Sequence, residues 1–189
     1  MVDIDDKIYI QQVLDGDTSS FSCLVDKYKD MVFTVSYRIL KQQEDAEDSA
    51  QVSFMKAFNK LHSFKGDSKF STWLYTIAFR AAIAKSKLKK VDFASDALTV
   101  DIPSEESFPQ LKELQGQEQR LYVQQAIDSL PEIEGVIITL FYIDEMNIQE
   151  IIKITGLNES NVKVKLHRSR KQLKSYLENA LHHEMKSII

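Results

Sequence analysis

Hydrophobic positions in residues 1–90 recur at the three- and four-residue spacing of amphipathic helices. The first predicted helix has one apolar face, formed by Phe21, Leu24, Val25, Tyr28, Val32, Val35 and Ile39. A second helix is predicted from the acidic stretch that begins near residue 43, because anionic side chains stabilise the N-terminal end of a helix. Its apolar positions are Ala50, Phe54, Ala57, Phe58 and Leu61.

A third helix is predicted after the loop that turns at Gly66, with Ser71 or Thr72 as its N-terminal cap. Its inner positions are Trp73, Leu74, Ile77, Ala78 and Ala81. Amphipathic helices in succession have to bury their apolar faces against one another. The sequence therefore predicts an N-terminal helix bundle.

The C-terminal part contains the pattern of a helix-turn-helix. Asn147 and Glu150 have the spacing of a capping box, and Gly156 stands where a helix end favours left-handed geometry. Asn158 is placed to cap the following helix. The inner positions of that second helix are Val162, Leu166, Ser169, Leu173 and Leu177. Because a strongly apolar segment precedes this pair, residues 116–189 predict a four-helix domain that contains the helix-turn-helix.

The second helix of the pair is cationic on its outer side. Residues 161–177 hold six lysines and arginines and no carboxylate, although the whole chain has a formal net charge of -4. Lys and Arg on a helix that follows a tight turn suit the DNA major groove, where they meet phosphates and base edges. The alternative is a solvated basic face, but the capped first helix and the glycine turn favour DNA.

Composition and charge divide the chain into two helical domains. Only 5 glycines and 3 prolines among 189 residues leave few turns, which favours long helices, and 43% hydrophobic residues suffice for a core. Residues 91–115 are acidic and keep no steady apolar period, as expected for a linker. We therefore predict an all-α fold with two small helical domains, residues 1–90 and 116–189, joined by this acidic linker.

The sequence disfavours several other functions. It contains no glycine-rich phosphate loop, no nucleophile motif and no spaced metal ligands, so neither an enzyme nor a cofactor or metal site is expected. The first residues lack the basic segment and apolar core of a signal peptide, and the longest apolar run is too short to cross a bilayer. A single cysteine fits a reducing compartment. We expect a cytoplasmic protein.

The order of these modules resembles the extracytoplasmic-function (ECF) sigma factors of bacterial RNA polymerase, which belong to the sigma-70 family. The family's polymerase-binding helix is similar to DAEDSAQVSFMKAF, and its -10 promoter region to FKGDSKFSTWLYTIAFRAAIAKSKLKK. Its -35-reading domain is similar to LPEIEGVIITLFYIDEMNIQEIIKITGLNESNVKVKLHRSRKQLKSYL. The family usually has an acidic residue after the position of Gln51, where this chain has Val52. The resemblance implies a sigma factor that directs core polymerase to specific promoters and assists transcription initiation.

The resemblance also implies which residues make the contacts. The residues that bind core polymerase would be Asp45, Asp48, Gln51 and Phe54. Exposed residues of the -10 region that capture unstacked bases or hold phosphates would be Phe70, Thr72, Arg80, Lys85, Lys87 and Lys89. The DNA-binding residues of the -35 region would be Ser160, Asn161, Lys163, Val164, Lys165, His167, Arg168, Arg170 and Lys171. We expect Lys163 and Arg168 at base edges, and Arg170 and Lys171 at phosphates.

Core RNA polymerase and promoter DNA are the partners that the resemblance implies, and an anti-sigma factor is a common further partner of the family. Two other interpretations remain open from the sequence. A stand-alone helix-turn-helix transcriptional regulator would bind DNA unaided, usually as a dimer on two half-sites. A helical scaffold would bind another protein through its acidic N-terminal face. Stoichiometric binding to core polymerase distinguishes a sigma factor from both.

Overall fold

The computed structural model describes residues 4–89 and 117–187, and within these ranges every regular element is helical. The α-helices are α1 (Ile4–Leu14), α2 (Phe21–Leu40), α3 (Gln43–Lys60), α4 (Phe70–Lys89), α5 (Gln117–Asp128), α6 (Glu132–Ile138), α7 (Ile148–Thr155) and α8 (Glu159–Ser187). The chain divides into two compact units, one built largely from α1–α4 and the other largely from α5–α8. The predicted all-α fold with two helical domains is confirmed. The linker expected at 91–115 lies outside the described residues.

In the N-terminal unit, α2, α3 and α4 pack against one another. The side that α3 buries consists of small residues, namely Ala46, Ser49, Ser53 and Ala57. Small side chains let neighbouring helices approach closely, so α3 contributes backbone proximity more than apolar bulk. The apolar face predicted for this helix is only partly correct. Ala57 and Leu61 are buried, Ala50 and Phe54 are half-buried, and Phe58 is 38% exposed.

Helix α1 has no counterpart in the sequence predictions. It packs on α2 and buries Ile10 and Val13. Its Asp6 is also buried, and this carboxylate accepts hydrogen bonds from Lys27 Nζ at 2.8 Å and from the Tyr28 hydroxyl at 2.6 Å. A buried charge is tolerated when it is paired and hydrogen-bonded, so this group fixes α1 to α2.

In the C-terminal unit, α8 packs against both α5 and α6. Helix α6 begins after Pro131 and continues into a π-helical turn, Thr139–Ile143. Such turns insert one extra residue per turn and re-aim the side chains that follow. Here the turn ends in hydrogen bonds from the backbone N–H of Asp144 to Thr139 and from that of Met146 to Leu140.

The helix-turn-helix predicted from the sequence is present as α7, a short turn and α8. Asn147 and Glu150 form both hydrogen bonds of the capping box, and Gly156 ends α7 with a φ of 74°. The Asn158 side chain accepts from the backbone N–H of Asn161 at 2.8 Å and caps α8. These local signals therefore identify both ends of the turn correctly.

None of the helices in 4–89 and 117–187 combines the length and the apolar character needed to span a membrane.

Candidate nucleic-acid interface and acidic helix surface

The acidic N-terminal half of α3 carries the residues expected to bind polymerase. Asp48 is 73% exposed and Gln51 is also exposed. Asp45 is more enclosed, with 17% of its side chain accessible, and Phe54 is half-buried. Asp48 and Gln51 are three residues apart and so lie on neighbouring positions of one helical face. The accessible part of the expected set is thus Asp48 with Gln51.

Exposed apolar side chains adjoin this acidic pair on α3. Val52 is 42% exposed and Met55 is 59% exposed, and they follow Asp48 at four and seven residues. This spacing places all of them on one side of the helix. The residues predicted from the sequence for this surface did not include Met55. Its position seven residues, or about two helical turns, after Asp48 is the signal that could have identified it.

Lys85 on α4 reaches across to the acidic end of α3. Its ammonium lies 3.1 Å from the Asp48 carboxylate and 3.2 Å from that of Asp45, and it also donates to the Asp45 backbone carbonyl at 3.2 Å. Partial desolvation lowers the pKa of Lys85, but the hydrogen bonds to Asp48 and Asp45 outweigh it and raise the pKa above its ordinary value. A residue expected at DNA phosphates is therefore bound to two residues expected at polymerase.

The expectation that Phe70 and Thr72 are exposed is wrong. Phe70 is fully buried and Thr72 is 2% exposed. Helix α4 begins at Phe70, so neither Ser71 nor Thr72 is its cap. The Phe70 ring lies 5.6 Å from each of the rings of Tyr28, Phe64 and Trp73. An aromatic ring inside such a cluster contributes to the core, because it is removed from water on all sides.

The outer face of α4 carries Trp73, Arg80 and Lys87 at intervals of seven residues. Two turns of helix separate each pair, so the three side chains lie on the same face. Arg80 and Lys87 are exposed. Trp73 was expected in the core but is half-buried, with its ring 5.3 Å from that of Phe64. The side chain of Lys89 lies outside the described part of the structure.

Helix α8 buries the predicted inner face. Val162, Leu166, Ser169 and Leu173 are buried, and Leu177 is half-buried. The expectation that Val164 faces DNA is wrong, because this residue is only 8% exposed. Buried residues therefore lie on more than one side of the first turns of α8, and both α5 and α6 pack on this helix.

Two of the expected DNA contacts on α8 are engaged inside the C-terminal unit. Lys165 Nζ lies 2.7 Å from Glu134 on α6, and both side chains are largely covered. Arg170 donates from Nε to the Tyr142 hydroxyl at 2.5 Å. Its guanidinium also lies 5.7 Å and 5.6 Å from the ring centroids of Phe141 and Tyr142. Both cations thus fasten α8 to α6 and to the π-helical turn.

The remaining expected residues of α8 are accessible. Ser160, Lys163, Arg168 and Lys171 are exposed, and Asn161 and His167 are half-buried. Lys163 pairs with Glu159 at 2.7 Å within the helix, and its hydrogen bond lowers the pKa of Glu159. Exposed pairs of this kind are weak, so Lys163 can exchange its partner for DNA at little cost. The accessible surface is cationic and lies on the helix that follows the capped turn.

Together the geometry defines a two-domain helical protein with a DNA-binding helix-turn-helix and a separate acidic helix surface. Two family models match it, sigma-70 region 2 over residues 24–89 and sigma-70 region 4 over residues 120–173. The ECF RNA polymerase sigma factor SigW of Bacillus subtilis (strain 168) is 35% identical over 176 residues, covering 89% of this chain and 94% of SigW. The chain belongs to the ECF RNA polymerase sigma factors, as the sequence predicted.

Solved structures agree on the fold. CnrH, in its complex with the cytosolic domain of CnrY, superposes with a TM-score of 0.63 at 19% identity, covering 93% of this chain and 98% of CnrH. The sigma factor RpoE, in its complex with the anti-sigma factor NepR from Bartonella quintana, gives 0.57 at 20% identity, covering 84% and 96%. Family membership makes this chain a transcription initiation factor of RNA polymerase and sets aside the stand-alone regulator and the scaffold.

Proposed function

We propose that this sigma factor binds core RNA polymerase through the outward side of α3, reads the -10 element with the outer face of α4, and reads the -35 element with α8. The observation that carries the proposal is the separation of charge. Accessible carboxylate and amide groups lie on the N-terminal half of α3, where residues 43–51 include no lysine or arginine, whereas accessible cations lie on the outer faces of α4 and α8. Promoter phosphates attract the cationic faces and repel the acidic one, so each surface has a different partner.

The polymerase surface combines polar and apolar groups. Asp48 and Gln51 supply hydrogen-bonding groups, and Val52 and Met55 supply apolar area beside them. Interfaces commonly place exposed apolar side chains next to a polar rim. Asp45 and Phe54 are less accessible than these residues and contribute less area to the surface. The apolar residue at position 52, where the family usually has an acid, fits a contact that depends partly on burial of hydrophobic area.

In the -10 region, Arg80 and Lys87 are the side chains we place at DNA, with Lys89 continuing the same helix. Trp73 lies on their face and offers an aromatic plane for an unstacked base. Phe70 and Thr72 are left out of this surface because they are buried. Base capture therefore falls to Trp73 and to the exposed residues further along α4.

In the -35 region, Lys163 and Arg168 are placed at base edges and Lys171 at phosphates. Asn161 and His167 flank them on the accessible side of α8. Base contacts discriminate between sequences, whereas phosphate contacts do not. Ser160 stands at the start of the helix, where hydroxyl and backbone N–H groups commonly meet phosphate.

An anti-sigma factor is a further partner that we propose for this chain, since RpoE, which shares its fold, was solved with one. We also propose that the chain acts in the cytoplasm, where RNA polymerase works. Its role is to steer the chemistry of the polymerase without performing any of its own.

The polymerase contact is tested by titrating core enzyme with the wild-type chain and with a variant carrying both Asp48→Ala and Gln51→Ala. We expect weaker core binding and a nearly unchanged thermal unfolding curve, because both side chains are exposed and the ion pair that Asp48 forms with Lys85 is partly exposed and therefore weak. Asp30→Ala is the matched control, an exposed acid on α2. If the double variant binds core as the wild type does, the interface lies elsewhere.

The DNA contacts are tested by transcription from a promoter library at two salt concentrations. Arg168→Ala should reduce the free energy of promoter binding by about 1–3 kcal/mol at the preferred -35 sequence and by much less at a scrambled one. Lys171→Ala should weaken binding to all promoters alike. It should also reduce the salt slope, which is the steepness with which the logarithm of promoter affinity falls with the logarithm of salt concentration, by about 0.9. Lys7→Ala on α1 controls for loss of one exposed positive charge. A uniform loss with Arg168→Ala would show that α8 contributes charge without reading sequence.

A further inference from the structure

We propose that Lys85 is a positioning residue for polymerase binding, which holds the acidic end of α3 in its binding geometry instead of contacting promoter DNA. This inference rests on the proposed polymerase surface of α3. It assigns Lys85 to polymerase binding, whereas Arg80 and Lys87 on the same helix are placed at promoter DNA.

The first reason is that the donors of Lys85 are already used. A lysine ammonium has three N–H groups and no acceptor. The structure places three oxygen atoms within 3.2 Å of Nζ, two from the carboxylates of Asp45 and Asp48 and one from the backbone carbonyl of Asp45. To bind a phosphate, the ammonium would have to give up at least one of these partners.

The second reason is direction. Successive residues of an α-helix are rotated by about 100°, so Lys85 lies roughly 140–160° around α4 from both Arg80 and Lys87. Those two side chains are exposed, whereas 26% of the Lys85 side chain is accessible. Helix α3 packs directly on α4, and Lys85 points toward it. The face of α4 that we place at the -10 element therefore does not include Lys85.

The third reason is what Lys85 does for its partners. Asp45 is largely enclosed, and an enclosed carboxylate requires a nearby cation or donors to remain charged. Asp48 is bound by the same ammonium and yet remains 73% exposed, so it can still meet a polymerase group. The bridge restricts the rotamers of Asp48 before binding. The Asp48 side chain then loses less conformational entropy when the sigma factor binds polymerase.

The test compares Lys85→Met with Lys87→Met in the full-length chain. Both substitutions remove one charge from α4 and keep an unbranched side chain, and they differ in the side of the helix that they affect. Core polymerase affinity is measured by titration, and the salt slope of the promoter complex is measured with saturating core enzyme. Thermal unfolding of each variant is recorded as well, because a change confined to stability would be seen there.

We expect Lys85→Met to weaken core binding about two- to fivefold, the range that corresponds to a partly exposed ion pair, and to leave the promoter salt slope unchanged. Lys87→Met should do the reverse, with core affinity unchanged and the slope reduced by about 0.9. Lys85→Arg should recover most of the core affinity, since it restores a cation that can reach both carboxylates.

Three outcomes would overturn the inference. If Lys85→Met reduced the salt slope and left core affinity unchanged, Lys85 would be a phosphate contact. If Lys85→Met tightened core binding, Lys85 would be competing with polymerase for the Asp48 carboxylate. Weaker binding that tracks a lowered melting temperature, without rescue by arginine, would make its role purely structural. Asp48→Asn separates these from failure of the proposed surface. If it weakens core binding while Lys85→Met does not, only this inference fails, and if it has no effect, both fail.

Discussion

Replacing Arg170 with methionine tests whether this guanidinium stabilises α8 or contacts a promoter phosphate. The sequence places it at a DNA phosphate, so its removal would reduce the salt dependence of promoter binding. The structure instead has it donating to the Tyr142 hydroxyl and lying over the rings of Phe141 and Tyr142. We therefore predict that Arg170→Met destabilises α8 and leaves the promoter salt slope close to that of the wild type.

The expected magnitude follows from these contacts. A hydrogen bond that involves a charged group contributes about 1.5–3 kcal/mol when it is buried, and a cation–π contact at an exposed site about 0.5–1 kcal/mol. Arg170 is half-buried, so both contributions are reduced by solvent, and methionine retains much of the apolar packing of the stem. We expect a loss of about 1–2 kcal/mol in the local stability of α8. Tyr142→Phe, which keeps the ring, should cost about 0.5–1.5 kcal/mol.

Hydrogen exchange of the α8 amides is the appropriate assay, because it reports the stability of one helix within the full chain. The expected loss corresponds to exchange that is faster by roughly 5- to 30-fold in α8. Combining Arg170→Met with Tyr142→Phe should cost less than the sum of the two, since both remove the same hydrogen bond. If exchange in α8 is unchanged while the promoter salt slope falls by about 0.9, Arg170 is a phosphate contact and the reasoning from its protein partners fails.

Three further predictions concern other parts of the molecule. Leu166→Ala should lower the free energy of unfolding by about 2–5 kcal/mol, because Leu166 is 2% exposed on the inner face of α8 and its truncation leaves a cavity. A smaller loss measured by calorimetry would indicate that the surrounding core relaxes into that cavity. Lys163→Met should raise the pKa of Glu159 toward its ordinary value in an NMR titration, and an unchanged pKa would mean that the pair does not form in solution. Asp6→Ala should lower stability by about 1–3 kcal/mol in thermal unfolding through loss of its bonds to Lys27 and Tyr28, so a wild-type melting curve would refute the role of this group in fixing α1.

The sequence by itself determined the features that depend on near neighbours in the chain. The capping box of Asn147 and Glu150 spans three residues, and the left-handed position of Gly156 depends on its own backbone. The inner face of α8, formed by Val162, Leu166, Ser169 and Leu173, follows from the period of the helix. These signals were sufficient for the helix-turn-helix and, with the order of the modules, for the family.

Tertiary structure decided which side chains remain available to a partner. Lys85 is bound by acids 37 and 40 residues earlier, Lys165 by Glu134 31 residues earlier, and Arg170 by Tyr142 28 residues earlier. Phe70 is enclosed by the ring of Tyr28 from another helix. A lysine or an aromatic residue looks the same in the sequence whether it faces solvent or a neighbouring helix. Its availability depends on which charges and rings the packing of the helices brings within a few ångströms, and helical periodicity contains no information about that.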